Sequence, residues 1–237
     1  MEPQTFFERY ELKYLLTRTQ KDKLEQLLAR YADPDPYGHT LVCSLYYDTP
    51  TWQVIRQSLA KPAYKEKFRL RCYGYPQSDT PIFAELKKKF DGIVYKRRMI
   101  QGTSSPVQKE IDYFRKVHGP LRPACHISCQ RDAWQGKEDA SLRITIDQDI
   151  EACLEKPALA PAGHNVKLLD ADTCLLEVKC SGGIPLWLAQ FFSQEKIRQT
   201  SFSKYATAYQ KYIQKGDSVC QKHSLPRSLT PQPVCSL

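Results

Sequence analysis

The sequence predicts an α+β fold, an antiparallel β-barrel closed by about eight strands with helices packed outside it. Segments of period-two alternation recur along most of the chain, and shorter segments with helical spacing fall between them. On most of the alternating segments the apolar residues trade places with Lys, Arg and Glu instead of Ser and Thr, so each strand has one apolar and one charged face.

The first strand spans Phe6 to Leu16. Thr17 and Thr19 can cap a helix of about three turns whose Leu24, Leu27, Leu28 and Tyr31 share a face, and Pro34 with Pro36 stops it. Thr40 to Tyr47 alternates as a strand, and a short helix from Thr49–Pro50 carries Trp52, Ile55 and Leu59. Strands follow over Tyr64 to Tyr75, Ile82 to Lys89 and Ile93 to Gln101, the last two joined by a turn at Asp91–Gly92. A helix near Pro106 to Val117 turns Val107, Ile111 and Phe114 inward and ends before Gly119. Ile127 to Trp134, Ser141 to Ile150 and Thr173 to Cys180 complete the strands. Two helices close the pattern: Pro185 to Arg198 with Leu186, Leu188, Phe191 and Phe192, and Ser203 to Ile213 with Tyr205, Tyr209 and Tyr212. Residues 1–215 therefore read as one domain, and 216–237, polar and containing Pro226, Pro231 and Pro233, as a disordered tail.

Lys and Arg number 35 against 26 Asp and Glu, a net charge of +9 that favours an anionic partner: nucleic acid, a membrane surface or a small polyanion. Cys180 to Gln194 is uncharged but is broken by Gly182, Gly183 and Pro185 and is too short to span a bilayer. Met1 to Phe7 lacks a basic stretch followed by an apolar one, so a cytoplasmic location is expected. The nine Cys are scattered, as expected of reduced thiols in the core. Cys125, His126 and Cys129 have no second cluster at zinc-site spacing. The chain has no G-x-x-x-x-G-K-[ST] loop and no kinase motif set.

The charged rows are more informative. Lys65, Lys67, Arg69 and Arg71 share a parity opposite Phe68, Leu70 and Cys72. Glu85, Lys87 and Lys89 oppose Ala84 and Leu86; Lys96 and Arg98 share a face; Arg143, Thr145 and Asp147 oppose Leu142, Ile144 and Ile146. Glu177 and Lys179 oppose Leu176, Val178 and Cys180, while Arg9, Glu11 and Lys13 share a parity, and Arg131 sits among polar neighbours. One such strand is an ordinary solvated face. Repeated through a sheet, the pattern describes a barrel whose charged faces point inward. Crowded cations repel, and a linear triphosphate offsets that repulsion, with Arg supplying forks and Lys point charges. Glu11, Glu85 and Glu177 suit such a site if Mg²⁺ or Mn²⁺ lies between them and phosphate oxygens. Asp147 fits either a metal or a pairing with Arg143. A basic barrel that binds RNA or DNA is the rival reading, with Tyr46, Tyr47, Tyr73 and Tyr75 to stack bases beside Arg69 and Arg71.

The pieces Glu8-Arg9-Tyr10-Glu11-Leu12-Lys13-Tyr14, Ser44-Leu45-Tyr46-Tyr47-Asp48-Thr49, Lys67-Phe68-Arg69-Leu70-Arg71-Cys72-Tyr73, Glu85-Leu86-Lys87, Lys96-Arg97-Arg98, Leu142-Arg143-Ile144-Thr145-Ile146-Asp147, Leu176-Glu177-Val178-Lys179 and Phe202-Ser203-Lys204-Tyr205 occur in this order. Together they resemble the VTC-type polyphosphate polymerase domain of the triphosphate-tunnel superfamily. The resemblance implies a tunnel-shaped barrel that binds ATP and Mn²⁺ or Mg²⁺ and transfers the γ-phosphoryl group to a growing inorganic polyphosphate chain; with water as acceptor the same site is a triphosphatase, and a tunnel that binds polyphosphate or an inositol phosphate without turnover is a further alternative. It implies that Lys13, Arg69, Arg71, Lys87, Arg131, Arg143 and Lys204 are phosphate-binding cations, with Ser203 an added donor and Glu177 a metal carboxylate. Lys96, Arg98, Lys179, Glu11 and Glu85 are implied as further tunnel residues. The chain departs from the family at Cys129, where a Tyr usually stands two places before the residue matched to Arg131. Nucleic acid is not an expected partner, and coupling to a membrane would need a partner protein.

Overall fold

The computed structural model describes residues 10–91, 93–161 and 163–214. Its strands are β1 (Tyr10–Thr17), β2 (Ala32–Pro34), β3 (Thr40–Asp48), β4 (Tyr64–Tyr73), β5 (Phe83–Phe90), β6 (Ile93–Ile100), β7 (Arg122–Gly136), β8 (Arg143–Cys153), β9 (Val166–Lys167) and β10 (Thr173–Cys180). Its helices are α1 (Arg18–Tyr31), α2 (Gln53–Leu59), α3 (Val107–His118), α4 (Leu186–Gln194) and α5 (Lys204–Ala208), which runs on into a π-helical turn at Tyr209–Gln214. Arg9 and the segment 216–237 lie outside the described residues.

Local chemistry sets the boundaries. Thr17 caps α1 in a reciprocal pair with Gln20: the Gln20 N–H donates to Thr17 Oγ1 and the Thr17 N–H to Gln20 Oε1. At its far end α3 stops where Gly119 takes a φ of 76°, a conformation that favours glycine.

All the strands belong to one antiparallel sheet in the order β1-β10-β8-β7-β3-β4-β5-β6, with β2 added to β7 and β9 to β8. The hydrogen-bonded path is open, with β1 and β6 as its ends, so the expected ladder closure is not seen among the described residues. The sheet is nevertheless rolled. Lys87 on β5, the strand next to the β6 end, donates to Glu11 Oε2 on β1 at 3.0 Å, so the inner faces of the two sides of the sheet meet. The free edge of β1 is covered by the segment before α5: Gln199 bridges to Tyr14, and the Thr200 N–H donates to the Lys13 carbonyl at 2.8 Å.

Apolar faces are covered from outside by helices. Leu24 and Leu28 of α1 and Leu188, Phe191 and Phe192 of α4 pack on Leu16, Ile144, Ile146, Leu176 and Val178. Ile111 and Phe114 of α3, with Val54 of α2, pack on Phe68, Ala84, Leu86 and Met99. Helix α5 departs from the expectation that all helices lie outside. Its Tyr205 ring stacks on Tyr46 at 4.7 Å, and Tyr46 is the register partner of Arg69 on the charged face. This helix therefore seals part of the inner face together with Leu175, Ile127 and Cys129. Seven cysteines are free and buried among the described residues. No helix among the described residues is long and apolar enough to cross a membrane.

Candidate functional site

Directly opposed residues in an antiparallel pair share a face. The register links Glu11 to Lys179, Lys13 to Glu177 and Glu177 to Thr145. It further links Arg131 to Asp147, Ser44 to Arg71, Tyr46 to Arg69, Arg69 to Glu85, Lys67 to Lys87, and Glu85 to Arg98. One continuous face therefore carries the charged rows. Rolling turns it inward, leaving Glu85 1%, Glu177 8%, Arg71 8% and Asp147 0% exposed.

Inside, the charges gather around separate carboxylates. Glu85 accepts from Arg69 Nε at 2.8 Å and Arg98 Nε at 2.6 Å, with Lys96 Nζ at 2.7 Å and Arg71 Nη1 at 3.9 Å. Burial alone would raise its pKa, but Arg69, Arg71, Lys96 and Arg98 together hold it well below the carboxylate range. Asp147 accepts a bidentate pair from Arg131 at 2.6 and 2.7 Å and a bond from Lys204. The pairing with Arg143 read from sequence is not formed; Arg143, 43% exposed in its side chain, turns to Asp35 at the rim. Glu177 lies 3.1 Å from Lys13, 3.6 Å from Lys179 and 3.8 Å from Lys204. Burial opposes its charge, yet Lys13, Lys204 and Lys179 keep it well below the usual range. Glu11 shares Lys13 at 3.3 Å and takes Lys87 at 3.0 Å. Against burial, Lys87, Lys13 and Lys179 bring its pKa to about 2.

Some inner cations have weak or no carboxylate support. Lys67 donates to Ser203 Oγ at 3.2 Å and has no ion pair among the described residues. Burial and then Lys87, Lys65, Lys13 and Arg69 push its pKa down to about 7. Arg71 donates to Ser44 Oγ at 3.0 Å, and burial and Arg69 lower its pKa. Lys67 shares the parity of Arg69 and Arg71, which is the signal that could have placed it among the site residues. The stacking surface for bases that the sequence offers at Tyr46 is not open. Tyr46 is buried, and its hydroxyl accepts from Arg69 Nη1 at 2.8 Å. Burial opposes ionisation of that hydroxyl, but Arg69 and Arg71 lower its pKa overall. Cys129 is buried, and burial, then Asp147, raise its thiol pKa to about 11.

The carboxylates do not form one ligand group, and no cluster of three or more His, Cys, Asp or Glu suited to a metal exists among the described residues. Glu85 is enclosed by cations on both oxygens. Glu177 and Glu11 also meet lysines on both oxygens, but they lie on neighbouring strands around a shared Lys13, and among the described residues the buried Thr145 hydroxyl opposite Glu177 has no hydrogen-bond partner. One or two carboxylates with an adjacent free oxygen suit a hard divalent cation that takes its remaining ligands from phosphate and water.

Residues 8–213 match the family described as the VTC domain. The chain belongs to the VTC domain family. In this VTC domain the matched span includes every strand and every α-helix described above. Its fold is similar to that of a candidate adenylate cyclase from Bacillus halodurans, with a TM-score of 0.52, 13% identity, and coverage of 87% of this chain and 99% of that one. A candidate adenylate cyclase from Vibrio parahaemolyticus aligns at a TM-score of 0.49 and 12% identity over 86% of this chain and 98% of that one. A candidate adenylyl cyclase from Hippeastrum, described as having a dominant triphosphatase activity, aligns at 0.47 and 14% identity over 85% and 95%. At these identities the likeness concerns the fold alone. A comparison with curated proteins found no match.

Proposed function

We propose that this VTC domain is a metal-dependent polyphosphate polymerase that works in the cytoplasm, transferring the γ-phosphoryl group of ATP to inorganic polyphosphate inside a tunnel made by the rolled sheet. The observation that carries the reading is the incompletely neutralised inner face, above all Lys67, a partly buried ammonium whose only hydrogen-bond partner among the described residues is a hydroxyl. A polyanion supplies the charge this face lacks. Arg69, Arg71, Lys67 and Lys13 are the cations placed to take phosphate oxygens. Arg131, Lys204, Lys87, Lys96, Arg98, Lys179 and Arg143 set the surrounding potential, and Ser203 adds a hydroxyl.

Transfer to the terminal phosphate of an acceptor chain forms one P–O bond to that chain and breaks the bond between the γ-phosphorus and the β–γ bridging oxygen, releasing ADP. A loose transition state of this kind needs alignment and fixed positive charge more than a protein nucleophile. Arginine forks restrained by Glu85 and Tyr46 meet that need with little reorganisation. Glu177 and Glu11 would hold Mn²⁺ or Mg²⁺, which neutralises phosphate charge and orients the triphosphate.

Incubation with γ-labelled ATP and Mn²⁺ or Mg²⁺, with products resolved on a gel, tests the reading, with Glu177→Ala in parallel. A ladder of labelled chains that the variant does not make is expected. Labelled orthophosphate alone would instead assign water as acceptor and make the protein a triphosphatase. No metal-dependent product from the parent protein would leave a binding module.

A further inference from the structure

Antiparallel pairing sets Cys43 of β3 directly opposite Cys72 of β4, on the outer face of the sheet with Leu45 and Leu70. Both thiols are free and buried. The remaining free cysteines among the described residues face residues of other types in their registers, so this is the pair in which two sulfurs meet across a ladder. Directly opposed residues of an antiparallel pair have Cα atoms about 4.5–5.5 Å apart, and a disulfide accepts about 4.4–6.8 Å, so the bond can form without moving either strand.

The Cys43 thiol donates a hydrogen bond to the Cys72 sulfur, and that contact makes the two groups unlike. It raises the Cys43 pKa, with burial adding to the rise. It lowers that of Cys72 against the opposing effect of burial, with Arg71 assisting. Burial raises the thiol pKa at Cys125, Cys129, Cys174 and Cys180, as in inert core cysteines, and Cys72 departs from them in direction. Cys72 also lies near a strand end. The β4–β5 register stops at Arg71, one residue earlier, and β4 itself stops at Tyr73. Local opening of this end gives a small oxidant a route to the Cys72 sulfur that a bulky one lacks.

We infer that Cys43 and Cys72 form a reversible oxidation site, at which a compact hydroperoxide converts the two thiols into a cross-strand disulfide between β3 and β4. The Cys72 thiolate attacks one peroxide oxygen. An S–O bond forms, the O–O bond breaks, and the released hydroxide takes the proton that the Cys72 thiol gave up. The Cys43 sulfur then attacks the sulfenic Cys72, forming the S–S bond as the S–O bond breaks, and the hydroxyl leaves as water with the Cys43 proton. Two thiols are oxidised to one disulfide, and one hydrogen peroxide is reduced to two waters. The bond lies one register position from the Arg71–Ser44 contact and closes a loop that carries Asp48 and α2. Closing that loop restricts the unfolded chain, so the oxidised protein is the more stable form. No phosphate ligand enters this chemistry, and the site stands or falls independently of the proposed activity.

Mapping of the reduced full chain after treatment with hydrogen peroxide tests the site. The protein is digested without reductant and analysed by mass spectrometry, and its melting is followed in parallel. A peptide joining Cys43 to Cys72 is expected, with a rise in Tm of roughly 5–10 °C, and dithiothreitol should reverse both. Cys43→Ala should abolish the cross-link and leave Cys72 as a sulfenic acid that dimedone traps, whereas in Cys72→Ala the Cys43 thiol should stay unreacted. The map of the parent protein decides the question even if a variant fails to fold. Cys43 and Cys72 both remaining thiols while other cysteines oxidise, or a cross-link that forms only after denaturation, overturns the site.

Discussion

Lys67 faces a conflict that its neighbours resolve for themselves. Arg69 has Glu85 and Tyr46, Lys13 has Glu177 and Glu11, and Lys67 has Ser203. Its pKa therefore falls from the usual 10.5 to about 7. Between those values the unfolded chain holds more protons at this position than the folded protein, so the contribution of Lys67 makes stability rise with pH across that window. Below pH 7 the unfavourable contribution is fully present. Lys67→Met removes it and should stabilise the unliganded protein at pH 7 by about 2 kcal/mol, or roughly 4–8 °C in Tm. The gain should shrink toward pH 10. Triphosphate binding should weaken by tenfold or more, because a charged hydrogen bond in a partly buried site contributes about 1.5–3 kcal/mol. Melting curves at several pH values and a binding titration check this. A lower Tm with undiminished affinity would mean that Lys67 serves the fold and not the ligand.

At the scale of elements, Asp48 at the end of β3 holds α2 and α5 together. Its carboxylate accepts the Val54 and Ile55 N–H groups at 2.9 and 3.0 Å and the Tyr205 hydroxyl at 2.8 Å. Tyr205→Phe removes one bond while keeping the stack on Tyr46, and should cost about 1 kcal/mol, or roughly 2–4 °C. Asp48→Ala leaves buried N–H groups unpaired and should cost about 3 kcal/mol. Thermal melts of both variants give the comparison, and equal losses would show that Asp48 acts only through Tyr205. Nothing in the sequence announces this junction, since its members are 157 residues apart. Other elements were legible because their signals are local. Thr17 starts α1, Gly119 ends α3, and the alternation of Arg69 and Arg71 with Phe68 and Leu70 assigns each face of β4. Alternation gives a residue its face but not its partner. Glu85 and Glu177 have the same kind of neighbours in sequence, yet β4 and β6 bring arginines and Lys96 to the former, while lysines from β1, β10 and α5 surround Glu177 beside Glu11 and a Thr145 hydroxyl that has no hydrogen-bond partner among the described residues. In the same way Tyr205, Tyr209 and Tyr212 mark a helix without saying that it seals the inner face. The two-residue β9 and three-residue β2 are too short to produce a period, and the ends of a ladder leave no trace in periodicity at all.

The whole molecule carries a net charge of +9, and much of its positive charge is concentrated on the inner face of a rolled sheet whose ladder remains open. Self-repulsion there destabilises the compact state, so any anion that enters should stabilise it. The size of the effect distinguishes general screening from a fitted ligand. Exposed charges respond to salt of any kind, because screening at about 0.15 M ionic strength acts beyond a Debye length of about 8 Å. A ligand that binds only the folded state adds RT ln(1 + [L]/Kd), about 2.7 kcal/mol at one hundred times Kd, which for a chain of this size is roughly 5–10 °C in Tm. Inorganic triphosphate at low millimolar concentration should reach that range, whereas sodium chloride at matched ionic strength should move Tm by only a degree or two. Binding should also draw protons onto Lys67, so the shift should be larger at pH 7 than at pH 9, where more of that lysine is neutral before the ligand arrives. Thermal melts across the four combinations of ligand and pH make the measurement. Equal shifts with chloride and triphosphate would reduce the inner face to a diffuse positive field, and a shift specific to triphosphate but independent of pH would remove Lys67 from the binding site.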